Sequence, residues 1–253
     1  MTAGHRRRVA HLALNRPARS NAIDLATARA FARAIAEIER SPDVKVILLR
    51  AEGANFCVGG DVGDMAAAPD TGAFIAELAD EMHRALTGLA ALAIPVVAAV
   101  QGAVAGAGLG LVLAADLVLC TETARFRTAY SGVGLSPDCG VSYWLPRTVG
   151  TGRALQMLLS NTMIDANTAW EWGMVSSIVP TAKLEDQAVL MATALADASA
   201  PALGQARRLV RAASARTLGE HLDDEAAAIA RLAAGADARE RIGTFVREKH
   251  AAR

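Results

Sequence analysis

Two glycine-rich turns and one isolated carboxylate are the parts of this sequence best suited to chemistry. The first turn reads Asn55-Phe56-Cys57-Val58-Gly59-Gly60-Asp61, and the second is Gly106-Ala107-Gly108, opening an apolar run to Ala114. Glycine tolerates backbone angles and close approaches that a Cβ forbids, so both turns can present bare N–H groups. In the second turn the first N–H groups of a helix lack intrahelical acceptors, and the helix dipole there favours developing negative charge. The bland alternative is that these glycines only make tight turns and permit close packing. The carboxylate is Asp138, in Gly134-Leu135-Ser136-Pro137-Asp138-Cys139-Gly140, followed by Trp144-Leu145-Pro146-Arg147. It is suited either to carrying a proton or to capping a helix after Pro137. Tyr130 can donate a hydrogen bond or pack as a buried ring at a strand end. Cys139 reads as an inert packing thiol, and His83 as a surface or packing residue of an amphipathic helix.

Several other chemistries find no foothold. After Gly106 and Gly108 the next glycine is Gly110, and Leu111 stands where a G-x-G-x-x-G dinucleotide fingerprint needs its third glycine. Phosphate-binding G-x-x-x-x-G-K-S/T, zinc-binding H-E-x-x-H and the G-x-S-x-G elbow are all missing. Cys57, Cys120 and Cys139 have neither disulfide-framework nor zinc-ligand spacing, which fits a reducing, cytoplasmic setting. Arg6, Arg7 and Arg8 precede too short an apolar run for a secretory signal. The 26 basic residues balance the 26 acidic ones, so net charge favours neither nucleic acid nor an anionic membrane.

The elements that must position these groups alternate between strand and helix. Val9–Leu14 is a short apolar strand before the breaker Asn15-Arg16-Pro17. Asp24 caps a helix with Leu25, Ala28, Phe31, Ile35 and Ile38 on one face, stopped by Ser41-Pro42. Residues 44–49 read as a strand covered on both faces, running into a glycine-rich loop over 52–64. Asp70 caps the next helix, and a strand follows at Val96–Val100. The span 88–115 is long and apolar enough to imitate a membrane helix, but Pro95 and its glycines make it a buried strand, turn and helix. Short strands are expected at 117–120, 124–126 and 176–179, the last after a helix capped by Asp165 and ended by Gly173. Beyond Lys183 the pattern is helical only, at 183–198, 202–213, 218–233 and 238–249. The chain therefore divides into an α/β core over 1–182 and a C-terminal helical region over 183–253.

Four blocks in order make the sequence resemble the enoyl-CoA hydratase/isomerase (crotonase) superfamily along nearly all its length. They are Leu14-Asn15-Arg16-Pro17 with Asn21-Ala22; Phe56 to Asp61; Gln101-Gly102 through Gly108 to Asp116; and the A-x-x-A-x-x-x-G-x-V segment from Ala166. The resemblance implies a spiral of ββα units followed by C-terminal helices, assembled as a homotrimer or a dimer of trimers. It implies that the N–H groups of Gly60 and Ala107 form an oxyanion hole for an acyl-CoA thioester. It also implies that Gly60-Asp61-Val62-Gly63 line the acyl-CoA, with Arg19, Asn21, Ala22 and Lys249 as further binding residues. Coenzyme A enters as part of the substrate, and no other cofactor or metal is implied.

Hydratases of the superfamily use two glutamates to activate water, and the matching positions here are Gly110 and Tyr130. The segment around Asp138 instead resembles G-L-x-P-D-x-G and L-P-R of isomerases that rearrange ring epoxides in phenylacetyl-CoA breakdown. By that resemblance Asp138 shuttles protons; Tyr130 is a further catalytic candidate, able to orient substrate or donate a hydrogen bond. The expected activity is an acyl-CoA isomerase acting through a thioester enolate. Weak enoyl-CoA hydration and non-catalytic acyl-CoA binding are the alternatives.

Overall fold

The computed structural model describes the backbone of residues 2–6 and 8–251 and the side chains of residues 8–250. The chain runs β1 (Thr2–Arg6), β2 (Val9–Leu14), α1 (Leu25–Glu39), β3 (Val46–Ala51), α2 (Val62–Ala67), α3 (Thr71–Ala91) and β4 (Val96–Val100). Then come β5 (Ala103–Ala105), α4 (Ala107–Ala114), β6 (Leu117–Thr121), β7 (Arg125–Arg127), α5 (Val141–Val149) and α6 (Thr151–Ser160). Next are β8 (Ile164–Asp165), α7 (Ala166–Glu171) and β9 (Ser177–Val179), and α8 (Leu184–Asp197), α9 (Ala200–Ala212), α10 (Leu218–Ala233) and α11 (Ala236–Ala251) complete the chain. The main sheet has the order β1-β2-β3-β4-β6-β9, parallel except for the β1–β2 hairpin, and a small sheet has the order β5-β7-β8. Strand pairs alternating between two sheets, with helices after them, give the crotonase-like spiral.

The unbroken apolar run of β3 follows from cover on both faces. Ile47 and Leu49 meet the main core with Phe31 and Ile35 of α1 and Leu86 of α3, while Val46 and Leu48 face Leu184, Ala188 and Ala192 of α8. The strand begins two residues later than its composition suggests, because the Val44 N–H donates to the Ser41 carbonyl in the preceding turn. Asp24, Asp70 and Asp165 cap their helices as expected, each accepting an N–H three residues on. The span 88–115 breaks into the end of α3, β4, β5 and α4, and among the described residues no helix is long and apolar enough to cross a membrane.

The sequence pattern did not reveal β1, α2, β5, α5, α6 or β8, and two of these bear directly on the site. Helix α2 has six residues and buries none of them, so it carries no amphipathic signal, and its start is set by Asp61 accepting the Gly63 N–H. Strand β5 is only Ala103–Ala105, too short to show alternation. It matters all the same, because it ties the two glycine turns together.

The C-terminal helices are locked to the core by polar contacts. Buried Arg207 of α9 donates to Asp116 (2.7 Å) and to the carbonyls of Leu89, Ala90 and Leu92 at the end of α3. Arg211 donates to the same carboxylate and to the Ala114 carbonyl at the end of α4, both at 2.7 Å. Asp116 in turn accepts the Val96 N–H, so two helix ends and the start of β4 share one ionic node. Removing Arg207 leaves carbonyls and a carboxylate without their donor. Arg207→Ala is therefore expected to lower unfolding free energy by about 3 kcal/mol, measured by urea denaturation.

Candidate active site

The two glycine turns are held against each other through backbone. The Cys57 N–H donates to the Ala103 carbonyl (3.2 Å) and the Ala105 N–H to the Cys57 carbonyl (2.9 Å), while Ile23 bridges the first turn from its other side. Gly106 adopts φ 52° and ψ −125°, a conformation open only to glycine, and Gly59 has φ 97°. A Cβ on Gly108 would stand 2.3 Å from the Cys57 carbonyl oxygen, so the approach of the turns requires glycine there. The loops feeding the turns are stitched in the same way. Asn55 accepts the Ala103 N–H at 2.9 Å, and Gln101 donates to the carbonyls of Ala51 and Gly53.

This packing leaves the N–H groups of Gly60 and Ala107 without acceptors among the described residues. Both residues line a cavity of about 300 Å³. Its walls are apolar: Ile23, Met65 and, from α3, Ile75, Leu78, Ala79 and Met82. Val62, Val133 and Leu135 line it while remaining exposed, which places apolar surface at the mouth. Tyr130 and Asp138 also line this space.

Asp138 does not cap α5, whose N-terminal cap is Gly140 with no side-chain bond. One carboxylate oxygen, Oδ1, accepts the Tyr130 hydroxyl at 2.7 Å, and the Cys139 thiol also lies beside the carboxylate as a weak donor. Tyr130 is buried in a one-turn 3-10 helix, Tyr130–Val133, rather than at a strand end. Burial first, then the charge and hydrogen bond of Asp138, push its phenol pKa well above the usual range. The phenol therefore stays protonated and acts as a fixed donor that orients the carboxylate. The Ala129 N–H donates to Asn161 at the end of α6, which anchors this turn.

Position 110 explains how the Asp138 loop is seated. A Cβ on Gly110 would lie 2.4 Å from the Cys139 carbonyl oxygen and 2.9 Å from its Cβ, so backbone fills the place of any side chain there. A carboxylate at position 110 and this seating of the Asp138 loop exclude each other. Cys139 itself is buried, and burial pushes its thiol pKa up, in keeping with an inert packing group. His83, read from sequence as a bland residue, comes close to this site. Its Nε2 accepts the Cys139 N–H at 3.1 Å, and a ring nitrogen lies within 4.8 Å of an Asp138 oxygen. No local spacing signals that contact, since His83 and Cys139 lie 56 residues apart.

The remaining sequence candidates do not line the cavity. Asn21, buried at φ 55°, accepts the Arg16 N–H and donates to the carbonyls of Glu52 and Asn55, so its amide holds the loop. The Ala22 carbonyl accepts from Arg16. Asp61 is buried and pairs with Arg16 and Arg19, closest at 2.8 Å. Burial raises its pKa, but the hydrogen bonds from Arg19 and Arg16 outweigh that and hold the carboxyl below its ordinary value. A Cβ on Gly63 would lie 2.9 Å from the end of the flexible Arg19 guanidinium, and the Gly63 N–H donates to Asp61. Asp61 and Gly63 thus brace the first turn from behind, while Gly60 and Val62 face the cavity. Lys249 sits in the last turn of α11, exposed and outside the lining.

Known proteins resemble this chain over nearly its whole length. Residues 4–252 match the family model for enoyl-CoA hydratase/isomerase. The chain belongs to the enoyl-CoA hydratase/isomerase family. It is 34% identical to the 1,2-epoxyphenylacetyl-CoA isomerase of Escherichia coli K12, over 94% of this chain and 92% of that one. It is 33% identical to a "probable enoyl-CoA hydratase" of Rhodobacter capsulatus, over 95% and 92% of the two chains. The solved structure of a Mycobacterium abscessus protein assigned to the enoyl-CoA hydratases/isomerases superposes with a TM-score of 0.94 at 34% identity, covering 98% of this chain and 97% of that one.

Within this family frame, the contact at Gly110 is open to direct test. Gly110→Ala should destabilise the protein by about 1 to 3 kcal/mol through overpacking against the Cys139 backbone. Urea denaturation measures this, and a variant as stable as the wild type would show that the loop moves freely.

Proposed function

We propose that this family member is an acyl-CoA isomerase in which Asp138 transfers a proton between two carbons of the acyl chain. Gly60 and Ala107 hold the thioester oxygen meanwhile. The observation that carries the reading is the Asp138 carboxylate, oriented by the Tyr130 hydroxyl on Oδ1 and lining the same apolar cavity as two unengaged N–H groups. The filled space at position 110 further supports proton transfer over water addition, since no second carboxylate fits there to activate water.

In this mechanism Asp138 takes a proton from the carbon beside the thioester of a Δ3-enoyl-CoA. The C–H electrons form a dienolate whose oxygen charge is met by the Gly60 and Ala107 N–H groups, each contributing about 3 to 4 kcal/mol in comparable sites. Asp138 returns the proton to the far end of the conjugated system, and the double bond moves into conjugation with the thioester. The name of the Escherichia coli relative favours a second substrate for the same apparatus, a ring epoxide of an aromatic acyl-CoA. Neither reaction calls on a metal or redox group. A homotrimer or dimer of trimers completes the proposal, supported by the exposed apolar side chains Leu222, Ile229, Ile242 and Phe245 of α10 and α11.

On a Δ3-enoyl-CoA panel, Asp138→Asn should lower kcat by about 10²- to 10⁴-fold, the usual worth of a positioned acid–base group. Unchanged turnover would reject Asp138 as the proton carrier. Incorporation of oxygen-18 from water into a 3-hydroxyacyl-CoA would instead identify a hydratase. Tyr130→Phe, which removes a hydrogen bond to a charged group, should cost about 10- to 100-fold in kcat.

A further inference from the structure

We infer that His83 is a positioning residue for Asp138, latching α3 to the loop that carries the carboxylate. The bond from the Cys139 N–H to His83 Nε2, 3.1 Å long, crosses from that loop to the helix forming one cavity wall. The donor belongs to the peptide unit that leaves Asp138. The carbonyl of that same unit accepts the Val141 N–H at 3.0 Å and lies 3.3 Å from the Tyr130 hydroxyl. Both ends of one peptide plane are thereby pinned, which fixes the backbone of Asp138, while the Tyr130 bond fixes its side chain.

The loop needs such a pin. Cys139 is a non-glycine residue at φ 49°, a left-handed conformation that costs energy unless its surroundings hold it, and Gly140 follows at φ 74°. The opposite side of Cys139 rests on Gly110, so the residue is clamped between α4 and His83. Accepting through Nε2 makes the ring neutral with its proton on Nδ1. His83, Asp138 and Cys139 offer ligand atoms within 4.8 Å of one another, but the Nε2 lone pair and one Asp138 oxygen are already engaged. That favours a hydrogen-bonded latch over a cation site. His83 is also exposed, so replacing it opens no void in the core.

The kinetic consequence rests on the isomerase reading, whereas the latch itself does not. The test compares His83→Ala and His83→Gln with the wild type. One measurement is kcat and KM on a Δ3-enoyl-CoA, and the other is amide hydrogen exchange of peptides spanning residues 134–145. The latch predicts that alanine speeds exchange in this segment and lowers kcat by about 10- to 100-fold, the scale of a misplaced catalytic group, with KM within about twofold. Glutamine, whose carbonyl can accept the same N–H, should restore most of both. Unchanged exchange in His83→Ala overturns the latch. Rescue of His83→Ala by added imidazole, without rescue by glutamine, overturns positioning in favour of proton carriage by the ring. A wild type without turnover but with exchange that responds to His83→Ala refutes the isomerase reading and leaves the latch standing.

Discussion

The site depends on one constraint, the backbone-to-backbone contact between the turn at Cys57–Gly60 and the turn at Ala105–Gly108. Hydrogen bonds between Cys57 and the short strand β5 set its register, and the missing Cβ at Gly108 sets its closeness. Separating the turns would carry the Gly60 and Ala107 N–H groups away from each other. Much of the surrounding structure serves to keep the turns from sliding. Asn55 and Gln101 tie the loops that feed them, Ile23 pairs with the outer side of the first, and Asp61 anchors its far end to Arg16 and Arg19. Buried charge is tolerable at Asp61 because two guanidiniums and a backbone N–H satisfy it.

A second constraint decides where a carboxylate can stand. The paired N–H groups of Gly60 and Ala107 are backbone, so they stay the same whatever side chains surround them, and in the proposed reaction the chemistry is chosen by the acid–base group set opposite. Here the Cys139 backbone occupies the space beside Gly110, and the left-handed pair Cys139 and Gly140 swings Asp138 toward the cavity before α5 begins. The loop and the bare position on α4 are two halves of one packing solution. A family member with a side chain at position 110 must route this loop elsewhere.

Legibility in the sequence follows the range of the interactions. The helices with local caps, Asp24, Asp70 and Asp165, and the doubly covered strand β3 announce themselves through residues within a few positions of one another. The glycine turns were visible as candidates for the same reason. Helix α2 and strand β5 were not, since one buries nothing and the other has three residues. The roles of Asn21, Asp61 and Gly63 were legible only as motif positions. Their side chains, or lack of one, turn out to brace the first turn through partners 31 to 45 residues away, which no local pattern encodes. His83 is the extreme case, an ordinary helical residue until the fold brings Cys139 to it.

The division between rigid frame and adaptable wall also bears on specificity. The polar groups of the cavity come from loops fixed by glycine contacts and buried hydrogen bonds, and such groups hold position within the tolerance that catalysis demands. The wall opposite them, Ile75, Leu78, Ala79 and Met82 of α3 with Met65 of α2, is apolar and contributes shape alone. Shape discriminates weakly, at about 1 to 3 kcal/mol per methylene, so under the proposed function acyl groups of related size would be ranked by fit. The rear of α3 is fixed by the Arg207 contacts to its last carbonyls, and its middle by the His83 contact to the Asp138 loop. Changing the size of the α3 side chains that precede these two fixed points, Ile75, Leu78, Ala79 and Met82, should therefore alter which acyl group fits while leaving the contacts of Asp138 in place.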